Sequence, residues 1–176
     1  ILTNTNIHNN SALGGAGVHA DYYNGYAPSL DLHSSADVYD NASITGSGYG
    51  GGLFVRQGTV NVTDCSDLYS NDAIFGGGAY LITSTLTLAG SCSEIQSNTA
   101  SGDGGGVYAI ASTIRLDDEA ELYNNNAGVD SSGSGGGIYL ANNSTLTGVN
   151  ARIGSNYVAS TGNDAINGAG VFAVDS

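Results

Sequence analysis

"GDGGGVYAI", residues 102–110, sets three consecutive glycines directly before a valine, a tyrosine and an alanine. Such a stretch reads as a phosphate-cradling loop, as a flexible linker or as a sharp backbone corner. The rest of the chain decides, because the cluster recurs as "GGAGVHA" from residue 14, "GGGLFV" from 50, "GGGAYL" from 76, "GGGVYA" from 104, "GGGIYL" from 135 and "GAGVFA" from 168. Six copies exclude a single phosphate site, and no helix pattern follows any of them to present its N-terminus to an anion. A second signature, an aliphatic residue followed three positions later by asparagine, lies between them: Ile7/Asn10, Val38/Asn41, Leu68/Asn71, Ile95/Asn98, Leu122/Asn125 and Ile153/Asn156. A third precedes it: "SLDL" from 29, "TVNV" from 59, "TLTL" from 85, "TIRL" from 113 and "TLTG" from 145. The asparagines return every 27 to 31 residues, which is the mark of a repeat architecture.

Within each repeat the first and third segments alternate with period two, as strands half buried against a core do. Leu30, Leu32, Val60, Val62, Leu86, Leu88, Ile114 and Leu116 share one face, while Asp31, Asn61, Thr87, Arg115 and Thr147 point the other way. Short strands split by Gly/Asn/Ser corners predict an all-β, right-handed parallel β-helix, a solenoid of about six turns of three short strands stacked about 4.8 Å apart. Residues 1–176 then form one domain. Asn10, Asn41, Asn71, Asn98, Asn125 and Asn156 are expected to occupy a left-handed corner and to stack as an amide ladder along the axis. The glycines supply positive φ or close backbone approach where the chain turns into the third strand. "GGG" is therefore a corner.

Glycine pairs before an apolar residue, alternating with an aliphatic-x-x-Asn motif over nearly the whole chain, resemble the repeats of the chlamydial polymorphic outer membrane proteins, whose motifs are GGA[ILVY] and FxxN. Here Ile, Val or Leu stands at the Phe position, and the cluster is mostly GGG. The resemblance implies a secreted or surface-exposed β-helical passenger, often an adhesin.

Composition narrows the partners. Of 176 residues, 40% are hydrophobic, enough for a core, yet the formal net charge is −13 because Arg56, Arg115 and Arg152 are the only cations beside three histidines. Such a surface does not neutralise phosphates, so nucleic acid and anionic membranes are excluded as partners, and no apolar run is long enough to span a bilayer. Neither end of the chain carries a cap, so the expectation is either a piece of a longer surface protein or a subunit that stacks end to end into a filament. The partners left are the chain itself, a cell-surface protein or a glycan.

Stacking turns repeats into columns. The middle residue of the third strand, His19, Phe54, Tyr80, Tyr108, Tyr139 and Phe172, faces outward and forms a ladder that either stiffens the sheet or makes a contact stripe for sugar rings, a covering loop or a neighbouring molecule. The residue before each second-strand aliphatic reads Asn6, Asp37, Asp67, Glu94, Glu121, Arg152. Its four carboxylates form either a solvated acidic edge or, with no cofactor required, a calcium site. Paired carboxylates also raise an alternative function, a polysaccharide-active β-helix enzyme. That reading is the weaker one, because the chain has no lysine to hold an anionic substrate and its arginines lie on different strands or turns. His8, His19 and His33 do not converge on a common point.

Cys65 and Cys92 each lie three residues before a second-strand aliphatic and are 27 residues apart, one turn. Stacked positions fall within disulfide range, which points to a bridge and an extracellular location; two free thiols buried in the core are the alternative. The longest connection between a third strand and the next first strand, "HADYYNGYAPSL" from residue 19, carries Tyr22, Tyr23 and Tyr26 and suits either carbohydrate or protein contact or a lid over the aromatic ladder. Longer insertions follow the Asn corner in turns two, five and six: "ASITGSGY", "NAGVDSSGS" and "YVASTGNDAIN". The function these features support is an extracellular structural or adhesive surface module.

Overall fold

The computed structural model describes residues 1–43, 48–128, 132–154 and 162–174. It is an all-β solenoid in which every strand pairs in parallel with its equivalent one repeat away. The first sheet stacks Leu2–Thr3, Ser29–His33, Thr59–Thr63, Thr85–Ala89, Thr113–Asp117 and Thr145–Val149. A second stacks Asn6–His8, Asp37–Tyr39, Asp67–Tyr69, Glu94–Gln96, Glu121–Tyr123 and Arg152–Ile153. The third stacks Val18–Asp21, Leu53–Arg56, Ala79–Ile82, Val107–Ile110, Ile138–Ala141 and Val171–Val174. Six strands per sheet make about five turns of coil. A fourth sheet, of four two-residue strands from Ala42–Ser43 to Asn126–Ala127, lies between the second and third; strands so short carry no period to read.

The register aligns residues letter for letter. Leu2, Leu32, Val62, Leu88 and Leu116 form one inward column, and Ile7, Val38, Leu68, Ile95, Leu122 and Ile153 another. From Leu32 to Leu122 these side chains are almost wholly buried, and each contributes about 1.5–3 kcal/mol by leaving water. No single turn can bury its own apolar face, so the stack is the folding unit.

Corners are held by side chains that bond along the axis. Nδ2 of Asn10, Asn41, Asn71, Asn98 and Asn125 donates to Oδ1 of the asparagine one rung on at 2.9–3.1 Å. The same Oδ1 accepts from the backbone N–H one rung back at 3.0–3.1 Å. Asn41, Asn71, Asn98 and Asn125 are buried, so their amides replace water for backbone groups that the sheets leave unpaired.

Two expectations about this ladder need correction. Its last rung is Asn163, which accepts from Asn125, whereas Asn156 lies outside the described residues. The insertion of the last turn therefore lies before the corner. The left-handed residue, too, is one place earlier: Asn9, Asp40, Ser70, Ser97 and Asn124 have φ of 52–58°, and the ladder asparagines are absent from the positive-φ set. A left-handed residue immediately before the asparagine turns the amide inward, where it reaches its neighbours.

The glycine corner has two separate causes. Gly76 has φ +66° and an added Cβ would lie 2.4 Å from Ala79 O, while a Cβ on Gly78 would meet Gly106 O of the next rung at 2.6 Å and Asn98 Nδ2 at 3.0 Å. A serine ladder guards the corner between third and first strands: Ser84 Oγ accepts from Gly58 N at 3.2 Å, Ser112 Oγ from Ser84 N at 3.0 Å, and Ser144 Oγ from Ser112 N at 3.1 Å. Cys65 and Cys92 are bridged, with Cα atoms 4.6 Å apart. Both residues are exposed at a corner, which removes the alternative of stacked thiols in the core.

Candidate functional site

Alternation in the second sheet buries Val38, Leu68, Ile95 and Leu122 and turns the residues on either side outward as two columns. The first holds Asn6, Asp37, Asp67, Glu94, Glu121 and Arg152 in one register, as the spacing predicts. These carboxylates are engaged by the protein itself. Asp37 Oδ1 accepts from Asp67 N at 3.1 Å, and Asp67 Oδ1 from Glu94 N at 2.8 Å. Glu94 Oε2 accepts from the Tyr123 hydroxyl at 2.9 Å and from Gln96 Nε2 at 3.1 Å, and Glu121 Oε1 pairs with Arg152 at 2.7 Å. Among the described residues, no group of three or more His, Cys, Asp and Glu converges so as to hold a metal ion.

Burial pushes the Asp67 carboxyl up to about 7, helped by the Glu94 and Asp37 carboxylates and opposed by the hydrogen bond from Glu94 N. A carboxyl whose folded pKa lies above its unfolded value contributes stability in full below the unfolded pKa and loses it as pH rises through the folded one. The melting temperature is therefore expected to fall between about pH 4 and about pH 7 as the Asp67 contribution is lost, and Asp67→Asn, which keeps an oxygen for Glu94 N, to flatten that dependence. Thermal melts of both proteins across this window check it; equal slopes would place the proton elsewhere.

The other outward column of this sheet escaped the sequence reading. His8, Tyr39 and Tyr69 stack at 4.8 and 4.7 Å between ring centroids, with planes within 6° of parallel. Its signal was the "DVY", "DLY" and "ELY" recurrence at 37, 67 and 121.

On the third sheet the aromatic column forms as expected, with centroids of His19, Phe54, Tyr80, Tyr108, Tyr139 and Phe172 spaced 4.6–5.8 Å apart. It is not an exposed stripe throughout. Phe54 and Tyr80 are only 9% and 7% exposed: Phe54 stacks between His19 and Tyr80, and Tyr49 lies 4.6 Å from Tyr80, while Phe75 packs edge-on against Tyr108 at 5.7 Å. Tyr108, Tyr139 and Phe172 stay half buried, and the positions equivalent to Tyr49 and Phe75 in their turns are Asp103, Ser134 and Asn167. Burial pushes the Tyr108 hydroxyl up to about 12. Rings stacked nearly face to face spend much of their surface on each other, which leaves little for a sugar.

Tyr22, Tyr23 and Tyr26 behave differently. Tyr23 and Tyr26 exchange both backbone hydrogen bonds, at 3.1 and 3.0 Å, around Asn24 (φ 50°) and Gly25 (φ 89°). This is a two-residue β-hairpin, and Asn-Gly is the residue pair that such turns favour. Its base is fixed by the Arg56 guanidinium, which donates from Nε to Asp21 Oδ1 at 2.7 Å and from a terminal nitrogen to Oδ2 at 2.5 Å. The three residues are 43%, 75% and 80% exposed, and among the described residues no ring contact or side-chain hydrogen bond holds them. They do not lie on the aromatic ladder. Every other described tyrosine is engaged: Tyr39, Tyr49, Tyr69, Tyr80, Tyr108 and Tyr139 stack, and Tyr123 bonds Glu94.

All three arginines are paired, Arg56 with Asp21, Arg115 with Asp117 and Arg152 with Glu121, so anionic ligands find no free guanidinium. The histidines are dispersed: His8 against Tyr39, His19 against Phe54, and His33 bonded to Thr3 at 2.9 Å. Set against known proteins, the chain matches no family model, no curated protein and no solved structure. The resemblance to chlamydial polymorphic outer membrane proteins rests on the repeat motifs alone.

Proposed function

We propose that this chain is an extracellular structural and adhesive surface module, a stiff solenoid that holds out the Tyr22–Tyr23–Tyr26 hairpin as its contact. The observation that carries this reading is the division among the tyrosines: those of the solenoid wall are stacked or bonded, and those of the hairpin are exposed and unengaged. Exposed phenols on a rigid turn combine apolar ring faces with hydroxyl donors and lose little conformational freedom on binding. With a net charge of −13 and every arginine paired, the fitting partner is an uncharged glycan on a cell or matrix surface. The surface-exposed disulfide supports an oxidising, extracellular setting.

A printed array of neutral oligosaccharides tests the proposal. The wild-type chain is expected to bind members of the array and the Tyr23→Ala/Tyr26→Ala double variant to lose that binding. Because both rings are exposed, the double variant should keep the wild-type melting temperature to within the small shifts typical of surface changes. Undiminished binding by the variant would remove the hairpin as the contact, and silence of the wild type across the array would remove the glycan class.

Polysaccharide cleavage is the second reading, favoured by one observation, the Asp67 carboxyl raised to about 7 beside Glu94. Both carboxylates are, however, tied to neighbours within the wall: Asp67 to Glu94 N, and Glu94 to Tyr123 and Gln96.

A further inference from the structure

The hairpin also carries a chemistry separate from adhesion. One-electron oxidants attack cysteine thiolates, methionine, tryptophan and tyrosine. This chain has no methionine, no tryptophan and no free cysteine, so its 11 tyrosines are the side chains left to oxidise. The structure then divides those tyrosines. Seven are stacked or hydrogen-bonded in the solenoid wall, and Tyr157 lies outside the described residues. Tyr22, Tyr23 and Tyr26 alone among the described set stand on a projecting turn with exposed rings and hydroxyls that no partner holds.

We infer that Tyr22, Tyr23 and Tyr26 are sites of oxidative phenol coupling, through which copies of this chain become covalently joined. A haem peroxidase fed with hydrogen peroxide removes one hydrogen atom, a proton and an electron, from the hydroxyl of each of two tyrosines. The two phenoxyl radicals combine through a carbon–carbon bond between ring positions ortho to oxygen. The two ortho hydrogens move to the oxygens and restore both phenols. Two hydrogens leave the protein in all, and the peroxide that accepts them becomes two waters.

Two hairpins can meet in this way without disturbing either solenoid, because Tyr23 and Tyr26 are 75% and 80% exposed at the turn. Approach of two chains that each carry a net charge of −13 is opposed by repulsion, so coupling should accelerate as salt screens it. The inference does not depend on the glycan reading, which concerns non-covalent binding by the same rings.

The test treats the purified chain with a haem peroxidase and hydrogen peroxide. Its readouts are dityrosine fluorescence, dimers that survive denaturing electrophoresis, and peptide mapping of the linked residues. The wild type is expected to give all three, more rapidly at higher salt. Tyr22→Phe/Tyr23→Phe/Tyr26→Phe is expected to lose the covalent dimer while keeping the wild-type melting temperature, and Tyr157→Phe to cross-link as the wild type does. The inference is overturned if the triple variant dimerises at the wild-type rate, if the links map to Tyr157 or to the stacked tyrosines, or if the wild type forms no dityrosine.

Discussion

Replacing Asn98 by alanine is expected to destabilise the fold by about 3–5 kcal/mol, the largest effect of any single polar substitution in the wall. Asn98 is fully buried; its Oδ1 accepts from Asn71 N and Nδ2, both at 3.0 Å, and its Nδ2 donates to Leu68 O at 2.9 Å and to Asn125 Oδ1 at 3.0 Å. Alanine leaves Asn71 N and Leu68 O without their partners in a site that water does not reach, at about 1–3 kcal/mol each, and opens a cavity the size of an amide. For a chain of this length the melting temperature should drop by roughly 10 °C. Asn6→Ala, at an exposed strand position outside the left-handed set, is the control and should change stability by less than about 0.5 kcal/mol. Comparable losses at the two positions would mean that the buried ladder carries no special share of the stability.

Opening the Cys65–Cys92 bridge is the second large effect. The bond closes a loop of 27 residues between adjacent rungs, and removing it releases about 3–4 kcal/mol of unfolded-state entropy. Because both cysteines are exposed, a reductant reaches them without unfolding the chain. Denaturant melts with and without dithiothreitol should therefore differ by that amount, and Cys65→Ser/Cys92→Ser should match the reduced protein. A midpoint indifferent to reductant would show that the stack alone keeps those corners together. It would also weaken the case for an oxidising environment, since the bridge would then add nothing to the fold.

The solenoid was legible in the chain because stacking forces the same letter into the same place in every turn. A column such as Val60, Leu86, Ile114 is visible as a periodicity before any coordinate is known. The departures came where the turns differ in length. The aliphatic-x-x-Asn spacing points to Asn156, whereas the rung after Asn125 is Asn163, whose signal is the repetition of "NDAI" at 71 and 163. The serine ladder had a signal as well, in "STL", "STI" and "STL" at 84, 112 and 144.

The candidate site was less legible for a physical reason. Which residues face outward follows from alternation, but how exposed they are depends on what an insertion lays over them. Tyr49 packs on Tyr80 and Phe75 on Tyr108, two of the six rings of the ladder, and nothing in the period of the third strand reports them. Composition shows the hairpin only as a tyrosine-rich loop, while its Asn24-Gly25 pair is the local signal for the two-residue turn.

In-register stacking is the claim beneath the columns and the corners alike, and side-chain amide hydrogen exchange followed by NMR tests it most directly. The Nδ2 hydrogens of Asn41, Asn71, Asn98 and Asn125 are bonded and buried, so they should exchange orders of magnitude more slowly than those of the exposed Asn142 and Asn143. Exchange of all six at one common rate would contradict the ladder, and with it the alignment of every column drawn from it.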